Sequence, residues 1–120
     1  MTLRNSQAEH WHTPAASPEE RARELVSCMT PEEKLGQLTQ VNGGAHGLHD
    51  AVRAGLVGSV LNEVHIHEVN ELQRLALEES RLGIPLLIGR DVIHGFKTIF
   101  PIPLGQAASW DPESVQRAAA

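Results

Sequence analysis

The sequence predicts an α/β fold built around a parallel sheet, on three observations. Short apolar runs alternate along the chain with amphipathic helical segments, and the connections between them are short. The apolar runs are hydrophobic throughout rather than at alternate positions, which is typical of parallel strands covered by helices on both faces. Their order is strand, helix, strand, helix, strand, which describes consecutive βαβ units. A chain of 120 residues holds one domain at most, because domains average about 150 residues.

Two capping boxes predict where the first two helices begin. Ser17 is followed three positions later by Glu20, with a proline at the first helical position between them. The same pattern recurs at Thr30 and Glu33. In such a box the hydroxyl and the carboxylate satisfy each other's backbone N–H groups. We therefore expect a first helix that ends near Met29 and a second, shorter helix directly after Thr30.

The rest of the regular structure follows from apolar periodicity. Strands are expected at residues 38–41, 56–61 and 84–88, and Asp50 is expected to cap a short helix that ends at Gly55. The longest helix is expected over residues 65–81, with Gly83 as its stop. Its predicted buried face consists of Val69, Leu72, Leu75 and Ala76, and its solvent-facing side of Glu71, Arg74, Glu78 and Glu79. A loop over residues 89–109 precedes a last helix that opens at Asp111.

Composition narrows the class of protein. Fifteen acidic and ten basic residues give a formal charge of −5, and no run of Lys or Arg occurs, so nucleic acid and anionic membranes are poor candidates for partners. No long apolar segment predicts a membrane span. Cys28 is the single cysteine, which excludes an internal disulfide.

Residues 1–16 lack periodicity and are predicted to form a disordered leader, with residues 17–120 as the folded part. Because that leader lacks the apolar stretch of about 7–15 residues found in signal peptides, we expect a cytoplasmic protein rather than a periplasmic or secreted one.

The residues that could carry chemistry cluster between positions 89 and 105. Asp91 follows the third predicted strand, and the carboxyl ends of parallel strands are where α/β folds place ligand-binding groups. A carboxylate near aromatic residues suits a sugar, because hydroxyl groups donate to the carboxylate while C–H faces lie on the rings. Three of the four aromatic residues of the chain fall after residue 95, at Phe96, Phe100 and Trp110. The alternative is that Asp91 only accepts backbone hydrogen bonds that hold the loop.

Other polar groups are open to a similar structural interpretation. Arg90 and His94 are neighbours of the candidate site, and either could be a hydrogen-bonding strut, while Lys97 could be merely solvated. A metal site could be assembled from His46, His49, Asp50, His65, His67 and Glu68. We expect none, because His65 and His67 are spaced i, i+2 and do not share a helix face. The glycine-rich segment at residues 42–47 lacks the motifs of nucleotide and dinucleotide sites, so no cofactor is expected.

Three segments resemble the N-terminal barrel domain of glycoside hydrolase family 3. They are PEEKLGQLTQV at residues 31–41, GLVGSVLN at residues 55–62, and NELQRLALEESRLGIPLLIGRDVIHGFKTIFPIPLGQAASWDPE at residues 70–113. The DVIHG element favours the glucosidase-like branch over the hexosaminidase branch, which carries a DxEGG-type element there. The resemblance implies the first βα units of an incomplete (β/α)8 TIM-type barrel. It also implies a retaining, exo-acting β-glycosidase, of the β-glucosidase type, that acts on β-glucosides or oligosaccharides.

The resemblance assigns one site residue to this chain and leaves others out. Asp91 matches the family aspartate that binds hydroxyl groups of the non-reducing sugar, whereas Arg90, His94 and Phe96 receive no role beyond being its neighbours. The family's nucleophile follows a Lys-His pair, and no Lys-His or Ser-Asp dipeptide occurs in the 120 residues. We therefore expect an inactive N-terminal fragment whose partner is the remainder of the barrel. A stand-alone α/β sugar- or protein-binding module, a β-xylosidase and a histidine metal protein remain as alternatives.

Overall fold

The structure is a computed structural model that describes residues 17–119. These residues form two compact units, the first ending at Arg90 and the second beginning at Asp91. The leader predicted over residues 1–16 lies outside the described residues.

The first unit alternates helices and strands. In chain order it contains α1 (Pro18–Cys28), α2 (Pro31–Leu38), β1 (Gln40–Asn42), α3 (Leu48–Arg53), β2 (Ser59–Leu61), α4 (Ile66–Arg74) and β3 (Leu87–Gly89). A π-helical turn, Leu75–Glu79, continues α4. The second unit contains α5 (Pro103–Ala108) and α6 (Pro112–Ala119). This alternation of helices and strands confirms the α/β class.

The three strands form one parallel sheet in the order β1-β2-β3. In its register Val60 pairs with Val41 on one side and with Ile88 on the other. Because α3 connects β1 to β2 and α4 connects β2 to β3, each pair of strands is joined by a helical crossover, as parallel strands require. The consecutive βαβ units predicted from the sequence are therefore present.

Both predicted capping boxes are confirmed. The Ser17 hydroxyl accepts from the N–H of Glu20 while the Glu20 carboxylate accepts from the N–H of Ser17. Thr30 and Glu33 make the same reciprocal pair at the start of α2. The first helix ends one residue before Met29, as predicted.

The prediction that Asp50 caps a helix is wrong. The helix α3 begins at Leu48, and its N-cap is Gly47 in a left-handed conformation with φ 74°. Asp50 instead lies in the first turn, where its carboxylate accepts from Arg53 at 2.9 Å. Glycine at the N-cap costs little relative to an aspartate, so the helix starts earlier than the side-chain signal indicates. The predicted end is confirmed, since Gly55 follows the helix with φ 71°.

The longest helix is shorter than predicted. Its helical residues stop at Glu79 rather than Arg81, and the last turn is a π-helix closed by Ser80 N–H donating to the carbonyl of Leu75 at 3.0 Å. The Ser80 hydroxyl donates to the carbonyl of Ala76 and accepts from the N–H of Gly83. A serine side chain that bonds the backbone on both sides competes with further helical turns, which explains the early end.

The core lies between the helices and one face of the sheet. Its buried side chains are Leu48, Val52, Val57, Val60, Leu72, Leu75, Ala76 and Leu86. Three of the four residues predicted for the inner face of α4 and its π-helical turn are in this set, and Val69 is half-buried. The prediction of strands covered on both faces is wrong for β3 in the described residues, because Leu87 is 75% exposed. Side chains alternate between the two faces of a sheet along a strand. Because Ile88 pairs with Val60, Leu87 lies on the face opposite the one that carries Val60.

A short helix was missed within the predicted loop. The helix α5 begins at Pro103, which occupies the first helical position after Ile102. Proline is favoured at that position because its fixed φ suits a helix start and its missing N–H needs no partner. The side chain of Gln106 donates back to the carbonyl of Pro101 at 2.8 Å. The last helix, α6, opens at Asp111 as predicted, and the Asp111 carboxylate accepts from the N–H of Ser114 at 3.0 Å.

Candidate functional site

The carboxyl ends of the three strands meet at one edge of the sheet. The strands end at Asn42, Leu61 and Gly89, which pair in register. The residues that follow β2 and β3 are Asn62 and Arg90. Three polar residues, Asn42, Asn62 and Arg90, therefore lie along the edge where parallel sheets bind ligands. We call them the strand-end triad.

Asn62 connects the members of the strand-end triad. Its N–H donates to the carbonyl of Gly89 at 2.9 Å, and its own carbonyl accepts from Nη1 of Arg90 at 3.2 Å. Its side-chain amide donates to Oδ1 of Asn42 at 3.4 Å. Asn62 has φ 65° and is one of two non-glycine residues with positive φ among the described residues. Asparagine tolerates this left-handed conformation better than most residues do.

The segment after Asn62 is fixed by Glu63. Its carboxylate accepts from the N–H groups of Val64 and His65 at 2.8 and 2.9 Å. These backbone N–H groups, His65 first, hold the pKa of the Glu63 carboxyl below its usual value. Gly43 packs against the same residue, since a Cβ on Gly43 would lie 2.8 Å from Cα of Glu63. A side chain at position 43 would therefore displace the chain next to the strand-end triad.

The second unit opens with Asp91, whose Oδ1 accepts from the N–H of Ile93 at 3.3 Å. The loop then folds back on itself, with the N–H of Phe100 donating to the carbonyl of His94 at 2.7 Å. Gly95 at the bend has φ 92°, and a Cβ there would lie 2.0 Å from the carbonyl oxygen of Thr98. A carboxylate has about four acceptor positions, so the bond to Ile93 is compatible with a further role for Asp91.

The predicted site residues are divided between the two units. Arg90 closes the first unit, bound to Asn62, whereas Asp91, His94 and Phe96 lie together in the loop of the second. All four are exposed, and the Phe96 ring is 45% exposed.

Asn42 and Asn62 were not among the predicted site residues. The available signal was positional: each asparagine stands at or just after a short apolar run that the sequence identifies as a strand.

The histidine-rich region contains one close contact between a histidine and a glutamate side chain. Nε2 of His49 lies 2.5 Å from Oε1 of Glu68, which joins α3 to the first turn of α4. In the part of the chain that the structure describes, no group of three or more His, Cys, Asp or Glu side chains is placed to hold a metal ion. We therefore assign no ligand set to the histidines.

A comparison with protein families gives a match over most of the chain. The family model described as Glycosyl hydrolase family 3 N terminal domain matches residues 30–120. The chain belongs to glycosyl hydrolase family 3. The resemblance noted in the sequence is thereby confirmed, and the family is one of O-glycosyl hydrolases.

Curated relatives carry β-glucosidase names. A periplasmic beta-glucosidase of Salmonella typhimurium is 37% identical over 97 residues, covering 78% of this chain and 13% of the relative. A periplasmic beta-glucosidase/beta-xylosidase of Dickeya chrysanthemi is 33% identical over 143 residues, covering 91% of this chain and 21% of the relative. Beta-glucosidase C of Emericella nidulans is 30% identical over 126 residues, covering 82% of this chain and 20% of the relative. The chain thus spans about a fifth or less of the length of these relatives.

The expectation of a cytoplasmic protein is contradicted by two of these relatives, whose names place them in the periplasm. The expectation rested on the composition of residues 1–16 alone, which is not enough to determine the compartment. Among residues 17–119, no helix combines the length and the hydrophobicity needed to span a bilayer.

Proposed function

We propose that residues 17–120 are the N-terminal part of the barrel domain of a retaining, exo-acting β-glycosidase that hydrolyses terminal non-reducing β-D-glucosyl residues. The observation that supports this best is the family match over residues 30–120, together with β-glucosidase names for the three relatives. The three parallel strands joined by helices agree with the first βα units of a (β/α)8 barrel. The partner of the chain is then the remainder of that barrel, and the compartment is the periplasm.

In this proposal Asp91 binds hydroxyl groups of the non-reducing sugar. It directly follows the residue after β3, a position at the carboxyl end of the sheet where barrel enzymes build their sites. A carboxylate accepts strong, charge-assisted hydrogen bonds from sugar hydroxyls. Phe96 of the same loop offers an apolar surface for the C–H face of a sugar. His94 is a further neighbour.

The reaction itself requires groups that the resemblance does not assign to these residues. A retaining glycosidase uses two carboxyl groups about 5–5.5 Å apart, one as nucleophile and the other as acid and base. The Lys-His and Ser-Asp elements that accompany them in the family do not occur in the 120 residues. The 120-residue polypeptide is therefore expected to show no turnover, and Asp91 contributes binding rather than bond cleavage.

The experiment is an assay of the full-length gene product with a chromogenic aryl β-D-glucoside. We expect turnover, release of glucose with retained configuration, and a rise in KM of about tenfold or more for Asp91→Ala, because a hydrogen bond to a charged group contributes about 1.5–3 kcal/mol. The matched control is Asp50→Ala, which removes an exposed carboxylate that pairs with Arg53. Absence of glycosidase activity in the full-length product would refute the proposal.

A β-xylosidase is the second candidate, because one relative is named for both activities. Glucose differs from xylose by its hydroxymethyl group, so the same full-length product is assayed with the matched aryl β-D-xyloside. A higher kcat/KM for the xyloside would favour this candidate.

A further inference from the structure

The strand-end triad is held together by one residue, Asn62. It lies between the other two strand ends and bonds to both, through its backbone to Gly89 and Arg90 and through its side chain to Asn42. Asn62 has φ 65°, and its carbonyl, directly after β2, accepts from the Arg90 guanidinium. Non-glycine residues in this left-handed conformation are concentrated at functional sites. The triad also lies at the edge of the sheet where a ligand of this fold is bound.

We propose that Asn62 is a positioning residue that fixes the Arg90 guanidinium at the carboxyl edge of the sheet, where Arg90 binds a hydroxyl group of the glycoside. This inference rests on the proposed function. Arg90 has five N–H donors in a rigid fork, and its Nη1 donates to the carbonyl of Asn62 at 3.2 Å. A guanidinium held at one nitrogen loses less rotational freedom when another donor binds a substrate hydroxyl. Asn62 acts through Arg90 and does not touch the sugar.

We assign the proposed role to the backbone conformation of Asn62, because the bond that its carbonyl accepts from Arg90 depends on that conformation. The Arg90 contact is made to the main-chain carbonyl of Asn62, while the side-chain bond to Asn42 is long at 3.4 Å. Glycine adopts positive φ without steric cost, so Asn62→Gly keeps the carbonyl in place. Valine is β-branched and is strained there, so Asn62→Val displaces the carbonyl. The two variants therefore separate backbone conformation from side-chain chemistry.

The experiment measures affinity for a non-hydrolysable β-glucoside analogue by calorimetry in the full-length gene product, alongside KM and kcat. We expect Asn62→Val to weaken affinity about tenfold, because it displaces the carbonyl that holds the Arg90 guanidinium, with the change in KM rather than kcat. Asn62→Gly is expected to stay within about threefold of the wild type. The matched control is Asn70→Val, the same substitution at an exposed position of α4, which is expected to leave affinity unchanged.

A double-mutant cycle with Arg90→Ala tests whether Asn62 acts through Arg90. We expect Arg90→Ala to weaken affinity about tenfold, and Asn62→Val to have no further effect in that background. Equal effects of Asn62→Val with and without Arg90 would overturn the inference. If Asn62→Val does not fold, a loss of affinity in folded Asn62→Gly as large as that of Arg90→Ala would overturn it too. Wild-type protein that neither binds nor cleaves β-glucosides would refute the proposed function as well, which distinguishes the two failures.

Discussion

Arg81 donates two parallel hydrogen bonds to Glu33, from Nε to Oε1 at 2.9 Å and from Nη2 to Oε2 at 2.5 Å, although 48 positions separate the two residues. The same Nη2 donates to the carbonyl of Cys28 at 2.8 Å. Oε2 of Glu33 also accepts from the N–H of Thr30, as part of the capping box. Among residues 17–119, Glu33 is the only charged residue that is buried. The Glu33 carboxylate thus caps the start of α2 and also binds Arg81, in the segment that leads to β3.

Loss of Arg81 should destabilise the fold more than loss of an ordinary surface arginine. In Arg81→Ala, Oε1 of Glu33 loses the bond from Arg81 while Oε2 keeps the bond from Thr30, and a buried acceptor that loses its donor costs about 1–3 kcal/mol. We expect a decrease of that size in the free energy of unfolding, measured with urea on the full-length gene product. Arg21→Ala, at an exposed position of α1, is the control and should change it by about 0.5 kcal/mol or less. Equal effects of the two substitutions would contradict the assigned role of Arg81.

The Glu33–Arg81 pair also predicts a dependence of stability on pH. The hydrogen bonds from Arg81 are the main reason that the pKa of the Glu33 carboxyl lies below its usual value, and burial opposes them. A group whose folded pKa is lowered stabilises the protein fully above its unfolded pKa of about 4.3. That contribution is lost as the pH falls through the folded pKa.

We therefore expect the free energy of unfolding to fall below about pH 4.3, and to fall less steeply in Glu33→Gln. Urea unfolding of wild type and variant between pH 7 and pH 3 measures the difference in slope. Glu20, with a lowered pKa at the equivalent position of the first capping box, provides the comparison through Glu20→Gln. Identical slopes in wild type and Glu33→Gln would show that this carboxylate has no linkage to folding.

Gly36 should tolerate no side chain. A Cβ at this buried position of α2 would lie 2.1 Å from the carbonyl oxygen of Gly55 and 2.8 Å from Cα of Leu56. Both are backbone atoms, so the helix must shift to admit a methyl group. We expect Gly36→Ala to lower the free energy of unfolding by about 1–3 kcal/mol, as overpacking does.

The matched control for Gly36 is Gly105, which lies within α5 and would place its Cβ at an ordinary 3.5 Å from Pro101. Alanine is a better helix former than glycine by about 0.5–1 kcal/mol. Gly105→Ala is therefore expected to leave stability unchanged or to raise it, as measured by the same urea titration. A destabilisation as large as that of Gly36→Ala would show that the cost has nothing to do with close backbone approach.

The isolated 120-residue polypeptide should not behave as a well-packed monomer. Large apolar side chains are left in contact with solvent, among them Leu38 at 85%, Leu87 at 75% and Trp110 at 92% exposure. An uncovered parallel sheet also leaves open edges. We expect binding of a hydrophobic dye, a broad thermal transition and association detected by light scattering. A sharp calorimetric transition in a monodisperse monomer would favour the stand-alone binding module instead.

The sequence by itself determined those features that depend on neighbours along the chain. Both capping boxes, the α/β class and most of the buried face of α4 were predictable, because caps and apolar periodicity act over three to seven residues. The family was predictable too, since the DVIHG element and its flanking segments match as contiguous stretches. For the candidate site, this local information identified Asp91 at the end of a strand.

Only the tertiary structure determined what depends on residues far apart in sequence. The Glu33–Arg81 pair, the crowding at Gly36 and the strand-end triad bring together side chains or backbone from different elements, and no local pattern records such distances. Asn62 is the clearest example, because an asparagine at this position of the sequence indicates only the end of a strand. Its left-handed backbone and its contacts with both neighbouring strand ends arise only once three parallel strands lie side by side.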